Sequence, residues 1–401
     1  PPRSTLFPYT TLFRSVGFRY NTGKWRFFAG ADVQSANLKG DQDFPSQVLL
    51  ERDFTHFMPS ATLNYEIEKS RRLEIRYRTN TNAPSITQLQ DVIDISNPLM
   101  TKTGNLNLIP AYEHGMSARF NMNNEDKTKN LFTVFSVTLT DDYISNAIYF
   151  LKSDTLVSGY LLKKGSQLVV PENLGKYLYL RAFTVLSFPV KKIKSTVNMN
   201  AGYNFSRTPA RIDGETYHTL NHTLNGSANL NSNISDNFDF SVSYNGSYSI
   251  VKNPLQEAQN SNYFTHRAGL KFNYIYKTRL VLNSDVNLTA YVGLPEEYAK
   301  NYYTWNAAIG YKILKSRSLE ARVSATDLLD QNKNVTRTIT EAYIEDARSN
   351  ILGRYFMFTL TYTLRSCGQS PQSDDKGPGD RMRMQGPPPG MMPPPGGGRP
   401  D

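Results

Sequence analysis

The sequence predicts an all-β fold, an antiparallel up-and-down β-barrel that crosses a membrane. Three observations predict it: apolar and polar residues alternate, the alternating segments are long, and their connections are alternately short and long. Strands of soluble domains usually have about five or six residues, whereas these segments run to roughly 12 to 16. Because successive side chains of a strand point to opposite faces, each segment has one apolar and one polar face.

The clearest alternation begins at Asp236. One face is aromatic or aliphatic and comprises Phe238, Phe240, Val242, Tyr244, Tyr248 and Ile250. The other face is polar and comprises Asn237, Asp239, Ser241, Ser243, Asn245, Ser247 and Ser249. The pattern recurs from Ile193 to Phe205, from Tyr303 to Ile313 and from Phe356 to Leu364. Since about ten residues of a tilted strand cross the hydrocarbon, these apolar faces suit a lipid-facing band.

The connections also alternate in length. Short turns are predicted at Asn21-Thr22-Gly23, Lys69-Ser70, Pro189-Val190-Lys191, Tyr276-Lys277 and Leu314-Lys315-Ser316. Longer loops are predicted at Leu38 to Asp53, Thr79 to Ala111, Lys152 to Asn173 and Asp330 to Leu352. Short turns on one side and long loops on the other are typical of barrels in bacterial outer membranes. We count roughly fifteen strands; because single-chain bacterial barrels have an even number, we expect a partial barrel, roughly 14–16 strands of a larger one.

Composition excludes several other classes of protein. No run approaches the ~18 apolar residues that a membrane helix requires, so helical spans are excluded. The net charge is +10, but no block of Lys and Arg concentrates it, and we expect no binding to nucleic acid. The one cysteine, Cys367, rules out a disulfide framework and a thiolate zinc site.

The two ends differ from the rest in composition. The segment from Arg3 to Ser15 reads RSTLFPYTTLFRS and resembles a translated sequencing adapter, so we expect residues 1–15 to be an artefact rather than part of the fold. Residues 366–401 are rich in Pro, Gly and Met and predict a disordered tail, because they offer little apolar surface to bury. The barrel is therefore predicted over residues 16–365.

No arrangement of residues predicts catalysis. His218 and His222 are four residues apart, which on a helix would suggest a metal site. On a strand they share a face but stand ~13 Å apart, so we predict no shared metal. No nucleophile elbow, phosphate loop or paired zinc motif is present. We therefore expect neither an enzyme nor a bound cofactor.

One long segment carries a specific resemblance. Tyr77-Arg78-Thr79 ends a strand, and Pro84 to Gln90, Asn97-Pro98-Leu99 and then Gly104 through Pro110, Tyr112 and His114 follow. This segment resembles the barrel of TonB-dependent receptors, in the branch called the outer-membrane β-barrel protein family. A second similarity covers Asp327 to Asn332 and Asn350 to Phe356, which look like that branch's closing loop and last strand. Leu106 departs from the pattern, since a Pro often stands there.

The resemblance implies a receptor or transporter in the outer membrane of a Gram-negative bacterium. It implies TonB-dependent uptake of a scarce or bulky ligand: an iron chelate, a cofactor, an oligosaccharide or a peptide. The implied partners are outer-membrane lipid, a plug domain upstream in the full-length chain, the TonB complex and a surface lipoprotein. Neither a plug nor a TonB-contacting segment is found in this sequence. The alternative is a plugless barrel that acts as a passive pore or as a surface-binding protein.

Candidate functional residues lie on the polar face, which would face the barrel lumen. We expect Arg26, Glu66, Arg76 and Arg78 to project inward, with Phe28 as an apolar exception. Either they bond to a plug domain or they form a solvated wall, and both signs of charge on neighbouring strands suggest salt-bridge ladders. Ligand capture is expected on the extracellular loops, above all Pro84 to Pro110, because binding residues of barrels usually lie on loops.

Overall fold

The computed structural model is almost entirely β-sheet. It describes residues 5–6, 10–42, 48–97, 99–124, 126, 128–157, 159–232, 234–235, 237–252, 261–293, 301–332, 334–339, 344–349 and 352–364. The tail predicted at 366–401 lies outside the described residues, as does part of the segment 1–15. No helix within the described ranges is long and apolar enough to cross a membrane.

The described residues form 23 strands and two single-turn helices, in chain order as follows. They are β1 (Thr5–Leu6), β2 (Thr10–Thr22), β3 (Trp25–Gln42), β4 (Val48–Glu68), β5 (Arg71–Asn82), α1 (Ile86–Leu89), β6 (Met100–Lys102), β7 (Ala111–Asn123), β8 (Asn130–Asp141), β9 (Ile144–Phe150), β10 (Thr155–Val157), β11 (Tyr160–Leu162), β12 (Gln167–Asn173), β13 (Tyr177–Val190), a 3₁₀ turn (Lys191–Ile193), β14 (Ser195–Ile212), β15 (Glu215–Ser232), β16 (Phe238–Lys252), β17 (Ser261–Tyr276), β18 (Leu280–Val292), β19 (Tyr302–Lys312), β20 (Leu319–Thr326), β21 (Asn334–Ile339), β22 (Ile344–Ser349) and β23 (Tyr355–Tyr362).

The main sheet is a continuous antiparallel wall. It has nineteen strands, and all but the four short strands β1, β6, β9 and β12 belong to the wall, which leaves fifteen. Wall strands pair with their neighbours in chain order, with β5 next to β7 and β8 next to β13 across two long insertions. Among the described residues β2 pairs only with β3 and β23 only with β20, so the wall is not closed. The predicted antiparallel up-and-down wall is confirmed.

The register keeps one face polar and the other apolar over most of the wall. On β8 and β13 the polar face also carries Phe132, Val134, Phe183 and Val185. From β14 to β16, for example, Asn200 lies opposite Ser227, which lies opposite Asn245, whereas Met199 lies opposite Ala228 and then Tyr244. Apolar side chains on the second face are largely open, as for Leu270 (50% exposed) and Phe358 (67%). In water such exposure would be costly, so this face is the one that contacts lipid.

Phe28 shows why a large apolar residue is tolerated on the polar face. A Cβ added at Gly17 or Gly30 would lie 3.0 Å and 2.8 Å from the Phe28 ring, so the ring lies over two positions without side chains. The Arg19 guanidinium stands 6.0 Å from the centre of the same ring. Phe28, the predicted apolar residue on the polar face, is therefore packed over two glycines and lies close to the Arg19 guanidinium.

The structure also corrects the predicted connections. All four predicted long loops contain regular structure: the first is shortened by β3 and β4, the second holds α1 and β6, the third β10 to β12, and the fourth β21 and β22. The strands inside the last three loops, β6, β10 to β12, β21 and β22, have three to seven residues, too few for alternation to predict them. The alternating segment predicted from Ile193 begins at Ser195, because Lys191–Ile193 form a 3₁₀ turn that ends at left-handed Lys194 (φ 44°).

Candidate functional site

The four predicted inward residues share the polar face of adjacent strands. Arg26 on β3 lies opposite Asn64 on β4, and Arg76 and Arg78 on β5 lie opposite Thr62 and Ser60. Glu66 lies on that same face of β4, just before the bulge between Glu66 and Glu68. The strands therefore place all four side chains on one surface, with Arg26 and Arg78 exposed.

Among the described residues of β3 to β7, the predicted salt bridges between inward side chains of the wall centre on one carboxylate, that of Glu74. Glu74 Oε1 lies 2.9 Å from Arg76 Nη2 and 3.9 Å from Arg119 Nη1, which bridges β5 and β7. Within the described part of the chain, Arg26 and Arg78 take part in no ion pair. The guanidinium groups of Arg26 and Arg78 are therefore available, on the inner face, for hydrogen bonds to a protein or ligand inside the barrel.

Above the wall, two insertions fold together into what we call the loop platform, residues 83–110 and 141–176. Strand β12 lies at its centre, parallel to β6 from the first insertion and antiparallel to β9 from the second. Strand β9 then pairs in parallel with the upper end of β14. Since the other wall pairings are antiparallel, these parallel contacts fasten the platform to the rim rather than extend the wall.

The first resembled motif builds the start of the platform. Ser85 and Gln88 form a capping box at α1: Gln88 N donates to Ser85 Oγ at 3.3 Å, and Ser85 N donates to Gln88 Oε1 at 2.8 Å. Leu89 follows and is 4% exposed, packed with Leu108 in a small apolar cluster that also contacts Phe54 of the wall. The motif therefore fixes where the insertion leaves β5.

Gly104 and Asn105 close the same insertion. Gly104 N donates to Gln90 O at 3.0 Å and Asn105 N to Gln88 O at 2.7 Å, so the two ends of the insertion lie against each other. The Asn105 amide Nδ2 also reaches Pro171 O at 3.0 Å, which joins the insertion to β12. A Cβ at position 104 would stand 2.1 Å from Gln90 O, so only glycine fits.

An ionic cluster ties the second insertion to the rim. Glu172 on β12 accepts hydrogen bonds from Arg211 Nη1 on β14 and from Tyr149 OH on β9 at 2.6 Å. Both charged side chains are partly buried, with Arg211 33% and Glu172 19% exposed. Burial, followed by the neighbouring Glu172 carboxylate, raises the pKa of the Tyr149 phenol, which stays a hydrogen-bond donor at neutral pH.

A cavity of about 270 Å³ opens where the platform meets the wall. It is lined by Gln34, Ala36, Phe54, His56, Thr81, Ala83 and Pro110. The β4–β5 pairing ends at Ser60 and Arg78, so the strands separate above that point, and Thr81 Oγ1 donates to Gln34 Oε1 at 2.8 Å across the gap. Ala83 and Pro110 bracket the insertion that we predicted to capture ligand.

Within this insertion, exposed and buried residues have different roles. The buried Leu89 and Leu108 support the insertion, whereas Ile95 (50% exposed) and Leu99 (74% exposed) are open to solvent.

Three of the histidines contact tyrosine or arginine side chains. His222 and His218 lie on the lipid-facing side of β15, where His222 Nδ1 is 2.8 Å from Tyr203 OH and His218 Nδ1 is 3.4 Å from Arg207 Nη2. His114 similarly stands 2.9 Å from Tyr77 OH. In the parts of the chain that the structure describes, no three His, Cys, Asp or Glu side chains are grouped as metal ligands.

One loop contact of the platform depends on pH. Asp154 Oδ1 accepts Lys164 N at 2.9 Å and Asp154 Oδ2 lies 2.9 Å from Lys163 Nζ, which together lower the pKa of this exposed carboxylate below its usual 3.8. A lowered folded-state pKa gives stability that is complete above the usual pKa and lost as pH falls through the lowered one. We expect the protection of the Lys164 amide, measured by hydrogen exchange relative to its intrinsic rate at each pH, to fall over that acidic window. Asp154→Asn keeps the acceptor without the charge, and equal pH dependence in that variant would contradict the assignment.

The wall is long and antiparallel, with an apolar outer face and a largely polar inner face. It has short turns at one end and folded insertions at the other. These features together define an outer-membrane β-barrel. The chain belongs to the outer membrane protein beta-barrel family, whose model matches residues 16–249 and 216–362. The protein is accordingly located in the outer membrane, as the sequence predicted. No curated protein is significantly similar to it in sequence.

Solved structures of outer-membrane proteins resemble the chain only distantly. The copper transporter OprC is 8% identical, with a TM-score of 0.44, over 88% of this chain and 57% of that one. The siderophore receptor PirA from Acinetobacter baumannii is 12% identical, with a TM-score of 0.37, over 88% and 62%. A FadL homologue from Pseudomonas aeruginosa is 11% identical, with a TM-score of 0.29, over 84% and 89%. The chain thus spans about three fifths of the length of the first two.

Sequence reasoning missed the loop platform and the cavity. The Ser85–Gln88 capping box was readable from the spacing of a Ser and a Gln around a short helix. No sequence pattern could predict the cavity, because its lining residues come from three different strands and from both ends of an insertion.

Proposed function

We propose that the chain is the wall and loop platform of an outer-membrane transporter that takes up a scarce or bulky ligand, with energy supplied through a plug domain and the TonB complex. The observation that carries the proposal is the charged inner surface of β3 to β7. Arg26 and Arg78 are exposed there without an ion-pair partner in the described chain, and Arg76 keeps 43% of its side chain exposed beside Glu74. Three guanidinium groups on one wall suit a folded protein insert that offers carboxylates and backbone carbonyls.

The platform supplies the second half of the proposal. It is tied together by backbone pairing and by the Glu172–Arg211 contact, so it holds the exposed loop tips in fixed positions over the wall. The cavity between platform and wall lies where a ligand from outside would first meet the barrel. Capture on these loops, followed by passage along the inner face, is the order of events this arrangement favours.

The test begins with the genomic DNA that encodes the chain, sequenced across the codon for Val16 to give the true upstream frame. A plug-like domain of about 100 or more residues is expected there. The complete gene is then expressed in a Gram-negative host, and uptake is measured before and after the proton gradient is dissipated. Uptake that stops on dissipation supports an energy-coupled transporter. Uptake that continues unchanged, with strands but no plug domain upstream, identifies a passive pore and removes the plug-facing role of Arg26, Glu66, Arg76 and Arg78.

A direct test of the plug-facing role uses the same complete protein. Arg76→Cys and Arg78→Cys are expected to cross-link to cysteines placed on the plug surface, because both positions face inward on β5. Tyr77→Cys lies between them and faces lipid, so it serves as the matched control and is expected to give no cross-link. Equal cross-linking from all three positions would contradict the assignment.

A further inference from the structure

The inner face of the wall has two chemically different parts. The strands β3 to β7 carry inward charges of both signs, including Arg26, Asp32, Glu74 and Arg119. Across β14, β15 and β16 the described inward side chains are uncharged except at two ends, Glu215 at the upper end and Asp239 at the lower end. We call this second part the neutral wall.

Most of the neutral wall consists of amides and hydroxyls. On β14 they are Thr196, Asn198, Asn200, Asn204, Ser206 and Thr208; on β15 Thr219, Asn221, Thr223, Asn225, Ser227, Asn229 and Asn231; on β16 Ser241, Ser243, Asn245, Ser247 and Ser249. The register places them side by side, as in the row Asn198, Asn229 and Ser243. The amide and hydroxyl side chains thus form one continuous surface, and both kinds of group can donate and accept hydrogen bonds.

We propose that the neutral wall is the contact surface for an uncharged, hydroxyl-rich solute, a neutral oligosaccharide. This inference rests on the proposed transport function and names the class of ligand that the same barrel takes. A charged chelate gains less on the neutral wall itself, because it would exchange strong hydration for side chains without charge. The inward cations nearest to this surface lie on the flanking strands: Arg181 on β13 is opposite Asn204, and Arg267 and Lys271 on β17 are opposite Asn245 and Ser241. A polyhydroxylated solute exchanges its hydrogen bonds to water for similar ones to amides and hydroxyls, at little desolvation cost.

The hydrogen bonds within the wall leave capacity for such a solute. Ser247 Oγ donates to Asn225 Oδ1 at 2.9 Å, and Ser241 Oγ donates to Asn231 Oδ1 at 2.9 Å. Each bond uses one donor and one acceptor, so the two N–H groups of each amide are not consumed by it. Asn231 and Asn245 are exposed on the inner side, and Asn225 is half-buried. The wall is therefore internally ordered and still able to bind.

Aromatic side chains stand beside the upper end of the neutral wall. Tyr263 on β17, Tyr291 on β18 and Tyr302 on β19 all belong to the inward face near the loop end. Tyr291 interacts with both Tyr302 and Arg267. A tyrosine ring presents a flat apolar surface with a polar edge, which matches the C–H face and hydroxyl rim of a sugar ring. A sugar that enters from the loop end would first stack on the tyrosine rings and then form hydrogen bonds with the neutral wall.

The test is calorimetric titration of the complete protein, purified in detergent micelles, with sugars of equal length and different charge. Maltohexaose is the uncharged probe and hexagalacturonate the anionic one. Maltohexaose is expected to bind at least about tenfold more tightly, a difference of about 1.4 kcal/mol. Equal or tighter binding of the anionic sugar, or no binding of maltohexaose, would overturn the inference.

Substitutions locate the binding surface. Asn225→Ala combined with Asn245→Ala removes two inward amides of the neutral wall and is expected to weaken maltohexaose binding about tenfold. Asn64→Ala removes an inward amide from β4, in the charged part, and is expected to leave the affinity unchanged. Equal loss in both variants would also overturn the inference, with circular dichroism used to confirm that each variant is folded.

Failure of this inference is distinguishable from failure of the transport proposal. Energy-dependent uptake of a ferric chelate by the complete protein, without sugar binding, keeps the transporter and removes the neutral-wall assignment. Binding of maltohexaose that depends on Asn225 and Asn245, without energy-dependent uptake, keeps the assignment and removes energy-coupled transport.

Discussion

Replacing Gly104 by valine is expected to dismantle the loop platform while the wall below it stays folded. A Cβ at this position would stand 2.1 Å from Gln90 O, 2.7 Å from Gln90 C and 2.8 Å from Gln88 O. All three atoms belong to backbone, so no side-chain rotation relieves the clash. The hydrogen bonds of Gly104 and Asn105 to these carbonyls must then break. We expect a local cost of about 3 kcal/mol or more, in the range of severe overpacking.

Hydrogen exchange measured by mass spectrometry is the appropriate readout. The segments 83–110 and 141–176 should lose protection together, because β6 and β12 pair across them. Gly226→Val is the matched control, since a Cβ there meets no atom within 4 Å. A Gly104→Val protein with both segments still protected would show that the clash is relieved by backbone movement and would refute the prediction. Gly104→Ala should act in the same direction, because the Cβ alone makes the contact.

Replacing Asp327 by alanine is expected to have the second large effect, at the turn that follows β20. The side chain is 1% exposed and its two oxygens accept Gln331 N at 3.2 Å and Asn332 N at 2.9 Å. The residue has a φ of 51°, a left-handed conformation that Asp and Asn tolerate better than Ala. Loss of two charge-assisted bonds together with backbone strain suggests a cost of about 3 kcal/mol.

The fluorescence of Trp305 can be used to follow unfolding of this turn, because Leu328 N donates a hydrogen bond to Trp305 O at 2.8 Å. In a Trp25→Phe background, Trp305 is the only tryptophan, and its fluorescence during urea titration should show an earlier transition in Asp327→Ala. Asp327→Asn keeps one acceptor and the tolerated φ, so its shift should be less than half as large. Identical midpoints for Asp327→Ala and the parent protein would contradict a structural role of the carboxylate.

Both expected effects fall on the two segments that carried the sequence resemblance. In the first segment, Ser85, Gln88, Leu89 and Gly104 cap, pack or close the platform. In the second, Asp327 organises a turn. These residues act by folding the insertions, and exposed neighbours such as Leu99 are the ones left to meet a ligand.

The sequence by itself determined the class of fold and the two faces of its strands. Alternation is a local property, since each side chain follows its predecessor to the opposite face. It therefore predicted an inward placement for Arg26, Glu66, Arg76 and Arg78, and the register places the four on one face of adjacent strands. That this face lines a lumen remains a prediction. Their contact with a plug remains a prediction. The division into residues 1–15, 16–365 and 366–401 is also still a prediction.

Only the tertiary structure decided what happens between distant segments. The parallel pairing of β6 with β12 joins residues more than sixty positions apart through three-residue stretches, too short for any pattern to predict. The cavity beside His56 exists because two paired strands separate at Ser60 and Arg78. The neutral wall is visible in each strand, but its continuity depends on register, which hydrogen bonding between strands sets and the alternation within each strand leaves open.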